Sequence, residues 1–202
     1  MRLARTPKAV QRAFPNLTWS TDVRQAVYLT FDDGPTPGVT DQVLDILDDH
    51  DAKATFFCLG KNVVHHPVLF DRIRQAGHAV GNHTYNHLNG WETPPSRYLT
   101  DVESCHRIFY STLFRPPYGK VRPSQRKRIL EHYRIVMWDV LSYDFDTALT
   151  PADCLATVLK HVRPGSIVVF HDSEKAAERM LYCLPRVLDH FGRQGLAFHA
   201  LD

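Results

Sequence analysis

Short apolar runs alternate with longer segments of helical period along most of the chain. Ala26-Val27-Tyr28-Leu29-Thr30-Phe31 is rich in β-branched and aromatic residues and stops at an Asp-Gly-Pro turn signal, which predicts a buried strand. Residues 39–50 carry Val43, Leu44, Ile46 and Leu47 at helical spacing, with Thr40 as the expected N-cap. A second strand is predicted over 54–59, a second helix over 68–76 closed by Gly77, and a short third strand over 79–81. The same reading places helices over 96–110, 124–132, 151–162 and 175–193, and strands at 113–114, 135–140, 166–170 and 196–199.

Strands that alternate with helices imply βαβ units and a mostly parallel sheet with right-handed crossovers. The expected fold class is therefore α/β, a single domain of about seven parallel strands. Seven strands suit a closed or nearly closed barrel, and an open doubly wound sheet is the alternative that periodicity leaves standing. Polar clusters fall just after the apolar runs: Asp32-Asp33, Asn82-His83, Arg115, the stretch 139–144, and His171-Asp172. In parallel α/β folds, sites collect at the carboxyl ends of strands, so these clusters are expected on one face.

Composition narrows the function classes. The chain has 202 residues, 44% of them hydrophobic, enough for one domain with a real core. A net charge of +2 from 24 basic and 22 acidic residues argues against a nucleic-acid surface. The basic start, Met1 to Lys8, is not followed by the apolar stretch of a secretory signal, and no run is long enough for a membrane span. The expected location is cytoplasmic, or periplasmic or secreted if a leader has been removed. Cys58, Cys105, Cys154 and Cys183 form no C-x-x-C pair and read as buried thiols. Oligomeric state is not readable.

Asp32 and Asp33 are adjacent carboxylates at a strand end, able to take separate roles, one binding a cation and one accepting a proton; alone, they also read as turn formers before Gly34-Pro35. His83 and His87 stand four apart, which on a helical turn points both imidazoles at one ion, whereas His65-His66 looks like a pair of bystanders. Arg115-Pro116-Pro117-Tyr118-Gly119 is a rigid turn whose Arg suits bidentate binding of a carboxylate and whose Tyr118 N–H suits an oxyanion. His171 ends a strand and becomes a good general acid beside a carboxylate, for which both Asp139 and Asp144 are available. Trp91, in the 89–95 loop, is either a sugar-stacking ring or an ordinary loop aromatic.

Taken in order, Thr30 to Pro35, His83-Thr84-x-x-His87, Arg115 to Tyr118 and His171 resemble the motifs of the polysaccharide deacetylase family of carbohydrate esterases, over about residues 26–199. The resemblance implies a distorted (β/α) barrel, with 1–25 as an N-terminal extension and 26–202 as the catalytic domain. It implies one divalent metal, most often Zn2+ with Co2+, Ni2+ or Mn2+ as alternatives, held by Asp33, His83 and His87. Asp32 would be the base, Arg115 its orienter, Tyr118 the oxyanion donor, His171 the acid and Asp144 the orienter of His171. The implied activity is removal of N-acetyl or O-acetyl groups from amino-sugar glycans, with metal-activated water as nucleophile. Hydrolysis of small acyl or formyl amides, and an inactive metal-bearing carbohydrate-binding domain, are the competing readings. Phe145 stands where a Trp is usual and Val169 where a Leu is usual, which implies a reshaped pocket.

Overall fold

The computed structural model describes residues 3–202. After helix α1 (Lys8–Ala13), the chain runs β1 (Ala26–Asp32), α2 (Thr40–Asp49), β2 (Thr55–Cys58), α3 (Gly60–His65), α4 (Pro67–Gln75), β3 (Ala79–Asn82) and α5 (Pro95–His106). It continues through β4 (Leu113–Phe114), α6 (Pro123–Ile129), β5 (Arg134–Ile135), β6 (Val140–Leu141), α7 (Pro151–His161), β7 (Ile167–His171), α8 (Ala177–Gly192) and β8 (Ala197–Phe198). Seven parallel strands form one curled sheet in the order β5-β4-β3-β2-β1-β7-β6, and β8 pairs with the start of β1. That order is chain order read around a circle and opened between β5 and β6. A doubly wound sheet reverses direction at a switch point instead. The sheet is therefore a barrel with one open seam.

The single strand expected over 135–140 is in fact β5 and β6, on opposite edges of the seam. The intervening residues cross it: the Val136 N–H donates to the Phe114 carbonyl at 2.8 Å, and the Asp139 N–H to the Ile167 carbonyl at 3.0 Å. The segment before β1 fills the gap. Thr18 bridges to Val136, Arg5 to Val140, and Ser20 to Ser166. Asp139 fastens this segment, accepting from Arg5 Nε at 3.0 Å, Gln11 Nε2 at 3.3 Å and Ser166 Oγ at 2.7 Å.

Alternation along β1 explains how a fully buried strand serves two purposes. Val27, Leu29 and Phe31 join the large outer core with Val43, Leu47, Val158, Met180, Leu184 and Val187 of the helices. Ala26 and Tyr28 join the interior cluster with Phe57, Val136 and Ile167, and Thr30 and Asp32 continue that inner row. Phe31 stacks between Phe56 and Phe170, at 5.0 and 6.0 Å. Burying each such ring contributes roughly 2–3 kcal/mol, so the strand holding the carboxylates is among the best anchored.

Local details depart from the sequence reading. Thr40 begins α2 but does not cap it; its hydroxyl accepts from the Thr36 N–H and lies 2.5 Å from Asp172 Oδ2. The short α3 lacks the length of apolar period needed to betray it. Gly77 closes α4 as expected, one residue beyond the cap position, with φ 80°. No helix among the described residues is long and apolar enough to cross a membrane.

Candidate metal centre and acid–base residues

β1 delivers Asp32 and then Asp33, whose φ of 83° sends the two carboxylates to different neighbours. β3 delivers Asn82, and residues 83–87 follow as a loop rather than the expected helical turn. Thr84 and His87 have φ of 67° and 62°, which no helix contains. Side-chain staples hold this shape. The Thr84 N–H donates to Asn82 Oδ1 at 2.8 Å and the His87 N–H to Thr84 Oγ1 at 3.0 Å. Asp101 of α5 accepts from the Tyr85 and Asn86 N–H groups at 3.0 and 2.9 Å. The imidazoles still meet, with ring centroids 5.2 Å apart.

Their lone pairs face Asp33. His83 Nδ1 lies 2.7 Å from the Arg115 carbonyl oxygen. A carbonyl only accepts, so Nδ1 carries the proton and a neutral His83 turns its Nε2 lone pair inward. Burial pulls His83 down to about 4, against the carboxylates of Asp32 and Asp33. Asp33 Oδ1 lies 3.7 Å from His83 Nε2 and 3.1 Å from His87 Nε2. Neither contact has hydrogen-bond geometry, and Oδ1 is a buried oxygen without a partner. Burial raises the Asp33 carboxyl, but the contact with His87 and the charges of His171 and His83 hold it well below the usual carboxylate range. One donor atom from each of the three residues lies within 4.8 Å of the other two, an O,N,N set that fits a single small divalent cation.

Asp32 belongs to a different network. Arg115, fully buried, donates from Nη1 to Asp32 Oδ1 and to Thr30 Oγ1, each at 2.7 Å. Its Nε and Nη2 reach the carbonyls of Val136 and Met137 at 3.2 and 3.0 Å, and its guanidinium sits 4.1 Å from the Phe57 ring centroid. The guanidinium thus touches Asp32 through one nitrogen, not the bidentate fork expected, because its other donors hold the seam. Burial lowers the Arg115 pKa, and Asp32 opposes that shift.

His171 leans on Asp144. Asp144 Oδ1 lies 2.7 Å from His171 Nδ1, and Oδ2 accepts the His171 backbone N–H at 2.7 Å. Asp139 is engaged at the seam, so the carboxylate beside His171 is that of Asp144. Burial pulls His171 down, but Asp144, with help from Asp33 and Asp32, lifts it to about 9. Phe145 sets its ring edge-on to His171, 5.1 Å between centroids, and Val169 is buried in the ladder opposite Thr30. Tyr118 has φ 60° in its turn, and its hydroxyl is 3.2 Å from His87 Nδ1.

Sequence reasoning gave no role to Asp172. Its buried carboxyl accepts the Gly34 N–H at 3.0 Å and meets Thr40 Oγ1, while its own N–H donates to the Asp32 carbonyl at 3.1 Å. Burial pushes it up to about 8. A Cβ on Gly34 would lie 2.0 Å from Asp172 Oδ2, so glycine is what lets the 33–36 turn close on that carboxyl. The glycine between Asp33 and Pro35 was the signal available.

The polysaccharide deacetylase family model matches residues 20–134, more than half of the chain. The chain belongs to the polysaccharide deacetylase family. It is 32% identical over 190 residues to a peptidoglycan-N-acetylglucosamine deacetylase of Bacillus cereus, covering 90% of this chain and 89% of the relative. It is 32% identical over 161 residues to a chitooligosaccharide deacetylase of Azorhizobium caulinodans, with 75% and 76% covered. In structure it is similar to a peptidoglycan N-acetylglucosamine deacetylase crystallised with 4-naphthalen-1-yl-N-oxidanyl-benzamide, at TM-score 0.86 and 29% identity over 97% of this chain and 95% of the other. The family's barrel is thus the frame that carries both networks.

Proposed function

We propose that this polysaccharide deacetylase removes N-acetyl groups from N-acetylglucosamine-containing glycans by hydrolysis. The observation that carries the reading is the partnerless Asp33 oxygen facing two imidazole nitrogens, with a separate carboxylate, Asp32, held back by Arg115. Asp33, His83 and His87 would hold one divalent cation; their nitrogen and oxygen donors suit zinc, and Co2+, Ni2+ or Mn2+ would substitute. When bound, such an ion supplies Lewis acidity, making water acidic near neutral pH and polarising the acyl carbonyl.

The chain's own groups then divide the proton work. Asp32 takes a proton from the attacking water as its oxygen bonds to the acyl carbon, and Arg115 fixes the carboxylate for that task. The N–H of Tyr118, which takes no part in the turn bonds made by the N–H groups of Gly119 and Lys120, donates to the oxyanion. His171, its Nδ1 proton anchored on Asp144, delivers the Nε2 proton to the departing nitrogen as the C–N bond breaks. The products are acetate and a free amino sugar. A pure binding module has no use for a base and an acid placed in this way, and the named relatives favour a glycan over a small amide. Asp32→Asn is expected to lower acetate release from N-acetylated chitooligosaccharides by about 10²–10⁴ while metal content by elemental analysis stays near that of the unaltered protein. Undiminished acetate release would remove the base assignment.

A further inference from the structure

We infer that the mouth carries a subsite for an acidic sugar next to the one being deacetylated, built by Trp91, Tyr118, Lys120 and Arg122; this rests on the glycan-deacetylase reading above. Trp91 is 59% exposed and Tyr118 60% exposed, unusual for large rings. Neither sits on a slack loop. The Trp91 N–H donates to Asn89 Oδ1 at 3.0 Å, and buried Gln125 donates to the Gly90 and Thr93 carbonyls at 3.0 and 3.2 Å. Gly90 is packed so closely on the Lys120 carbonyl that an added Cβ would lie 2.4 Å from it. Each ring is therefore held open to solvent by its own hydrogen-bonded segment, Trp91 by this loop and Tyr118 by the turn in which the Gly119 and Lys120 N–H groups donate to the Pro116 and Pro117 carbonyls. That is the preorganisation expected of a stacking platform.

The platform is continuous with the metal centre, since the Tyr118 ring lies 4.6 Å from that of His87. It is also positively charged. Lys120 Nζ lies 5.4 Å from the Trp91 ring centroid and 5.9 Å from that of Tyr118, and Arg122 Nη2 donates to the Trp91 carbonyl at 2.5 Å. Among the described residues neither cation is paired with a carboxylate, and Glu92, the acid of this loop, is bonded to Asn89. A neutral acetylated sugar needs the rings but not the charges. Both features are satisfied by a glycan in which the scissile N-acetyl sugar adjoins one bearing a carboxylate, its ring on the aromatic platform and its carboxylate at Lys120.

The test compares peptide-free peptidoglycan glycan strands, which expose a lactyl carboxylate on alternate sugars, with chitooligosaccharides of equal length and no carboxylate. With the zinc-loaded protein, KM for the acidic glycan is expected to be about fivefold lower, the scale of a solvent-exposed ion pair. Lys120→Met should abolish that preference by raising KM for the acidic glycan more than for the neutral one, Lys120→Arg should keep it, and raised salt should erode it only where the cation remains. Trp91→Ala should raise KM for both glycans, by roughly tenfold. Equal KM values in the unaltered protein, or a preference that survives Lys120→Met, would overturn the inference. If the unaltered protein releases acetate from neither glycan, the deacetylase reading fails. Equilibrium binding of the two glycans to that same protein then decides the acidic subsite separately, by the same fivefold criterion.

Discussion

The two sides of the mouth treat a largely enclosed histidine in opposite ways. On the β3 side, His83 sets Nδ1 against the backbone carbonyl of Arg115 and is pulled down by burial to about 4. On the β7 side, His171 sets Nδ1 against the Asp144 carboxylate at the same 2.7 Å and is lifted to about 9 despite its burial. Burial alone disfavours the charged form in both. The partner decides. A carbonyl fixes the tautomer without stabilising positive charge, leaving a neutral ring with an inward lone pair, suited to a metal. A carboxylate fixes the same tautomer and also stabilises the imidazolium, suited to donating a proton.

The sharpest way to break this contrast is to remove each ring in turn. His83→Ala is expected to weaken zinc binding by more than about a hundredfold, beyond the range seen for loss of a supporting outer contact. His171→Ala should leave zinc affinity within a few-fold of the unaltered protein while turnover collapses. Chelator competition reads the first quantity and acetate release the second. If both variants lose zinc alike, the two sides are one ligand set and the division of labour is wrong.

A finer cut leaves both rings in place and changes only the partner. Asp144→Asn can still accept the His171 backbone N–H but no longer stabilises a charged ring. Turnover is expected to fall about 10²-fold with zinc content unchanged. The sign of the pH effect is fixed by the linkage. A raised pKa keeps His171 protonated up to about 9, and the donor is lost as pH rises through that value. In Asp144→Asn the alkaline limb of kcat should therefore move toward lower pH. An alkaline limb that stays in place would show that another group supplies the proton.

How far this arrangement was legible in the sequence depends on whether it is local. Asp32 and Asp33 end a run of six residues whose burial is written in their side chains, and their separate destinations follow from a strand end. The residues His83 and His87 were found, but for the wrong local reason. Their spacing suggests a helical turn, whereas Asn82, Thr84 and Asp101 bend the loop through two positive φ values. Asp101 lies 15 residues from Asn86, beyond any periodicity signal. The choice between Asp139 and Asp144 was equally closed to the sequence, because it turns on residues 5 and 11 crossing the seam. Likewise, 135–140 reads as one apolar strand although it straddles the barrel's opening, a property of the closed sheet that no short window contains. Periodicity left the barrel and the doubly wound sheet both standing; the family resemblance implied the barrel, and the strand order bears it out.

A third histidine extends the partner rule away from the site, where the effect is smallest and cleanest. His78 lies just before β3, at the opposite end of that strand from the candidate metal loop, and its Nδ1 accepts the Ala54 N–H at 3.2 Å. A donor facing the nitrogen demands a lone pair, so protonation there must break the contact. Burial first, and the charge of Lys53 second, pull its pKa from 6.5 to about 4. Between those values the unfolded chain holds a proton that the folded one refuses. The contribution to stability is thus complete above about pH 6.5 and lost as pH falls toward 4. His78→Asn keeps an acceptor for Ala54 and removes the titration. The fall in melting stability between pH 6.5 and 4 should be shallower in this variant by on the order of 1 kcal/mol. Carboxylates that titrate in the same window act equally in both proteins, so the difference isolates His78. Parallel curves would mean that the ring is charged in the fold, and that a facing N–H does not set protonation as the mouth's two histidines suggest.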